Sequence, residues 1–135
     1  MPRLFRESPL NSIWEGSGNV AALDVLRALA KSPEALEAFL SEVRLAEGAD
    51  TRLDAEVKRL QESLSDLDDV QFRARGLVRS MALCLQASLL LRHSPAPVAE
   101  AFVGSRLGEG RGDVFGALPR GVDTAAILDR ARPRY

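Results

Sequence analysis

A chain of 135 residues, 46% hydrophobic and 27% charged, has the length of one domain and enough apolar side chains to bury a single core. With 18 basic against 19 acidic side chains its formal charge is −1, so no overall field draws it to nucleic acid or anionic lipid, and any such binding must come from a local patch. The single cysteine, Cys84, excludes an internal disulfide, and with no signal peptide and no apolar run of about 18 residues the expectation is a cytoplasmic protein without a membrane span.

The opening MPRLFRESPLNS has no helix cap and no clear periodicity, and an unusual motif follows within a dozen residues. The expectation is a fragment or a split piece of something larger. From Asn19 to Lys31 the polar residues Asp24, Arg27 and Lys31 form one narrow stripe at helical spacing, which predicts a mostly buried helix. Ser32 and Pro33 stop it and start a second helix, with Leu36, Phe39, Leu40 and Val43 inward and an end near Gly48.

Asp50 or Thr51 opens a third helix, in which Leu53, Val57, Leu60 and Leu64 repeat at spacings of four and three, the pattern of a bundle face or a short coiled-coil seam. A fourth, from about Asp69 to His93, becomes apolar on all sides at MALCLQASLLL and is expected to be the central core helix. Ser94 and Pro95 start a fifth over Val98, Phe102 and Val103, a glycine-rich loop follows, and Asp123 caps a last short helix ending before Pro133. No stretch alternates with period two and no repeat is present. The fold expected is all-α, a bundle of five or six helices.

Most chemical signals have a plain structural reading. Gly108, Gly110 and Gly112 are followed by Asp113 where a dinucleotide fingerprint needs a spaced glycine, and no strand precedes them, so a mobile connection is expected. His93, at the end of the core helix, suits the helix dipole; without a second histidine or a cysteine at ligand spacing, no metal site is expected. Cys84 reads as a small buried hydrophobe.

Charge is unevenly spread. Glu47 to Asp69 holds eight acids against three bases, Val70 to Ala99 holds four arginines and no acid, and Arg106 to the C-terminus holds six arginines against four acids. Arg73, Arg75, Arg79, Arg106 and Arg111 are thus candidates for phosphate contacts, against the alternative of a solvated face paired with the acidic third helix.

The stretch IWEGSGN resists so simple an account. Ser17, Gly18 and Asn19 are good helix starters, and a plain N-cap explains them. Yet Glu15, between Trp14 and Gly16, is a carboxylate on a side-chain-poor turn: glycine lets a planar ligand approach the backbone, the aromatic ring desolvates the carboxylate as a general base requires, and the helix start favours an anionic group.

These residues resemble the catalytic segment of the acyl-CoA dehydrogenase superfamily, flavoproteins with an aromatic-Glu-Gly-Thr/Ser turn ahead of a helix. MPRLFRESPLNSIWEGSGNVAALDVLRAL is most similar to the AidB-type branch, associated with the adaptive response to DNA alkylation, in which tryptophan precedes the glutamate and GSGN follows. The resemblance implies that residues 1–31 end the dehydrogenase C-terminal domain and that 32–135 are the extra helical region of that branch, the part linked to double-stranded DNA. It implies Glu15 as the base that removes the α-proton of an acyl-CoA thioester, with Ile13, Trp14, Gly16, Ser17 and Asn19 packing against FAD. Trp14 stands where ordinary members have tyrosine, and Ser17 where threonine is commoner. FAD belongs to the complete protein, whose upstream dehydrogenase domains are the expected partners; this chain alone is expected neither to hold it nor to turn over substrate. Assembly into a homo-oligomer is the further expectation.

Overall fold

The computed structural model describes residues 2–14, 16–66, 68–109, 112 and 116–133. Among them are seven α-helices and one 3-10 helix: α1 (Pro2–Glu7), the 3-10 turn (Ser8–Ser12), α2 (Gly18–Lys31), α3 (Pro33–Arg44), α4 (Thr51–Ser65), α5 (Val70–His93), α6 (Ala96–Arg106) and α7 (Thr124–Ala131). No strand occurs among the described residues, and the expected all-α bundle is what forms.

The helix boundaries follow local chemistry. Asp50 and Asp123 cap α4 and α7 through side-chain carboxylates that accept the backbone N–H of Arg52 (2.8 Å) and Ala126 (3.0 Å), satisfying donors that the first helical turn leaves unpaired. Ser17 and Ser32 occupy the N-cap positions of α2 and α3 without making that side-chain bond. At α3 and α6 proline stands in the first turn, where its missing N–H has no partner to lose.

α5 is the central helix and packs against α2, α3, α4 and α6. Its length and composition would let it cross a membrane, but Leu77, Met81, Cys84 and Ala87 bury one side of it in the core with Val43, Leu53, Leu60 and Val103. Polar clamps fasten the other helices to this core. Arg52 reaches from α4 to both oxygens of Glu100 on α6 (3.1 and 2.9 Å) while holding Asp50 (2.7 Å), whose carboxyl it keeps below the usual carboxylate range. Arg92 on α5 pairs with Glu42 on α3.

Two expectations change. The N-terminal stretch without periodicity is helical: α1 is held by an Arg3–Glu7 ion pair one turn apart (2.9 Å) and packs against the 3-10 turn, and none of its residues is buried, so it has no buried face to write a pattern. The helix expected to be mostly buried, α2, buries only Ala22. Val25, Leu26 and Leu29 pack half-buried against the core, but α3 and α5 cover one side of the helix and Val20 and Leu23 stay exposed.

Candidate functional site

The turn ahead of α2 is built by backbone geometry. Trp14 N–H closes the 3-10 turn onto Leu10 C=O (2.9 Å), and Gly16 N–H bonds Ile13 C=O (3.1 Å). Gly16 lies at φ +123°, a region that glycine enters freely, and a Cβ there would sit 3.1 Å from the Val20 side chain. The chain then enters α2 at Ser17 in an extended conformation (φ −70°, ψ 161°). The Ser17 hydroxyl makes no cap bond, and the positive end of the helix dipole favours an anionic group here.

The side chains of this turn face outward: Ile13 and Trp14 are 64% and 66% exposed. Ser17 and Asn19 are exposed as well. Across the helix crossing, Arg75 of α5 donates to Asn19 Oδ1 (3.3 Å), and its guanidinium lies where a Cβ on Gly18 would meet it at 3.2 Å. A cleft of about 370 Å³ runs from there between α2 and α5, lined by Gly18, Ala22, Arg75 and Gly76 among others. Glu15 lies outside the described residues.

The four candidate arginines among the described residues serve different ends. Arg73 closes the α4–α5 turn, donating to the carbonyls of Ser63 (3.2 Å), Asp66 (2.6 Å) and Asp68 (2.9 Å). Arg106 similarly holds the carbonyl of Gly112. Arg111 lies outside the described residues, as do Gly110 and Asp113 of the glycine-rich loop. Arg75 and Arg79 remain together, one turn apart on the exposed face of α5.

Glu56 was not legible as special among its acidic neighbours. It is buried, accepting from Ser80 Oγ (2.5 Å) and Arg59 Nη2 (2.5 Å). The signal was its register: three residues after Leu53 and four before Leu60, it sits on the apolar face of α4. Burial pushes the nearby Cys84 thiol up to about 12, and the charge of Glu56 adds to this while Ser80 and Arg59 oppose it. We expect a thiol reagent at pH 8 to leave Cys84 unmodified in the native chain and to react once denaturant unfolds it; labelling at the unfolded-state rate without denaturant would contradict this burial. Among the described residues no three histidine, cysteine or carboxylate side chains cluster as metal ligands would, and exposed His93 ends α5 where expected.

No protein-family model and no solved structure matches the chain. The AidB acyl-CoA dehydrogenase of Escherichia coli (strain K12) is 35% identical to it over 102 residues, which is 76% of this chain and 18% of that protein. The chain thus spans less than a fifth of the length of the curated relative it matches. With that identity, and with an all-α fold, the chain is related to the AidB-type acyl-CoA dehydrogenases through one part of such a protein.

Proposed function

We propose that the chain is the C-terminal portion of a cytoplasmic, FAD-dependent acyl-CoA dehydrogenase-like protein of the AidB type, and that its turn from Ile13 to Asn19 forms one wall of the flavin and acyl-CoA site. The observation that carries this reading is an outward-facing apolar turn that runs directly into the N-terminus of α2. A tryptophan and an isoleucine left two-thirds exposed at a glycine bend are better explained by a surface that covers them than by contact with water.

The residues fit one wall of a flavin site and not an enclosed one. Ile13 and Trp14 offer apolar area to a planar ring, Gly16 lets a ligand approach the backbone, and the α2 N-terminus with Arg75 beside it favours negative charge. FAD, when bound, supplies the acceptor for the hydride leaving the β-carbon of the acyl group. Glu15 would take the α-proton, while Trp14 keeps water from the carboxylate. Participation in the response to DNA alkylation belongs to the same reading.

The test is an exchange in which this chain replaces the matching portion of the E. coli AidB relative. The hybrid should retain flavin through gel filtration, and Ile13→Asp with Trp14→Asp should weaken retention roughly 10- to 100-fold, the scale of losing one or two buried apolar side chains. Equal retention with and without the double substitution would remove the turn from the flavin site.

A second reading, a helical region that binds duplex DNA, draws on the exposed Arg75 and Arg79 of a helix free of acids. Two phosphate contacts would give a shallow fall of affinity with salt, a log–log slope of about −2.

A further inference from the structure

Where α2 meets α5, the contact at the first turn of α2 is built around one arginine. Arg75 of α5 donates to Asn19 Oδ1 (3.3 Å), and its guanidinium lies against Gly18, where a Cβ would come within 3.2 Å of it. Gly18 thus leaves the space that the guanidinium fills. A residue 56 positions further along the chain in this way reaches the first turn of α2, directly after the bend at Gly16. The cleft of about 370 Å³ between the two helices opens at Gly18 and Arg75, so this corner is accessible from outside.

A side-chain amide carries its acceptor on one side and its two N–H donors on the other, whereas a guanidinium can only donate. Arg75 therefore selects Oδ1 and turns Nδ2, with both donors, away from α5. Without such an anchor the last torsion of an asparagine is broad and roughly two-fold, and an exposed amide samples both orientations. We infer that Arg75 is a positioning residue for the turn: it holds Asn19 so that Nδ2 is free to donate to an acceptor oxygen of a ligand lying there. This rests on the reading of the turn as one wall of the flavin site, and the acceptor is then an oxygen of the cofactor. Arg75 and Asn19 are both exposed, so in water their bond adds little to stability. Under a bound cofactor the same bond is shielded and fixes the amide.

In the isolated chain, Arg75→Met keeps the stem and removes the donors; it should shift the Asn19 side-chain amide NMR signals and leave the melting midpoint within about 2 °C. Arg130→Met, exposed on α7, should move neither. In the hybrid with the E. coli relative, Arg75→Met should weaken flavin retention about three- to tenfold, the scale of one side chain left to be ordered on binding. Asn19→Ala should weaken it about tenfold, the scale of one hydrogen bond lost. Because Arg75 acts through Asn19, adding Arg75→Met to Asn19→Ala should cost less than about twofold more, and Arg75→Lys, which keeps a donor, should recover most of the loss. Asn19 signals indifferent to Arg75→Met would remove the pair, whatever the turn binds. Additive losses in the double variant would overturn the positioning role, since Arg75 would then attract the cofactor by charge alone. Retention untouched by Arg75→Met but lowered by Ile13→Asp with Trp14→Asp would overturn it as well and leave the turn a flavin wall; retention untouched by all of them would remove both.

Discussion

Replacing Glu56 by alanine should lower the unfolding free energy by about 2–4 kcal/mol, the scale of losing two charge-assisted hydrogen bonds and leaving a cavity behind. The carboxylate is buried on the apolar face of α4 and accepts from Ser80 on α5 and from Arg59 in its own helix, so it fastens the α4–α5 contact at the middle of the core. Arg59 keeps half of its surface in water (51%), so the charge attraction is screened and most of the loss falls on the Ser80 hydroxyl and on packing around Leu60 and Leu77. Glu56→Gln keeps the shape and one acceptor and should cost less than the alanine, about 1–2 kcal/mol. Glu62→Ala, on an exposed position of the same helix, should stay within about 0.5 kcal/mol. Urea titration reads all three as shifts of midpoint at constant slope. A Glu56→Ala midpoint no lower than that of Glu62→Ala would mean that the buried carboxylate contributes nothing to the α4–α5 contact.

What the residues announced and what they concealed divide along physical lines. The six helices from α2 to α7 were legible because caps, prolines and apolar spacing are local signals: Asp50, Asp123, Pro33 and the run Leu53, Val57, Leu60, Leu64 each act within a turn or two. α1 was not, since a helix that buries no residue writes no pattern. Reading α2 as mostly buried failed for a related reason. Periodicity reports which side of a helix is apolar and not what covers it, and Val20 and Leu23 stay exposed.

The candidate site was legible in its residue types and not in its geometry. Gly16 is glycine because the turn needs a positive φ, and that could be read from the motif. That Arg75, 56 residues further on, would reach Asn19 could not, because it depends on how α5 crosses α2. Nor could the binding of Arg73 and Arg106 to main-chain carbonyls of tight turns, which depends on how the chain turns between helices.

In the exchange with the E. coli relative, Glu15→Gln should reduce acyl-CoA oxidation by roughly 10²- to 10⁴-fold, the usual contribution of a positioned general base, while flavin retention stays unchanged. The contrast with the Ile13 and Trp14 substitutions separates two roles of one turn. Those side chains offer apolar area and should act on how tightly the flavin is held, whereas an amide at position 15 keeps the size and polarity of the carboxylate and removes only its ability to take a proton. On either side of it, the 3-10 turn is tied through Leu10, and Gly16 at φ +123° leads into the α2 N-cap. Gly16→Ala strains the turn itself, since its Cβ would press on Val20 at 3.1 Å, and should lower oxidation without removing any titratable group. The two variants then differ in pH profile. Glu15→Gln abolishes the limb set by the base, and Gly16→Ala lowers the whole curve but keeps its shape. Oxidation within a few-fold of the unsubstituted hybrid for Glu15→Gln would assign proton removal to another group, and the turn would then be a packing surface alone.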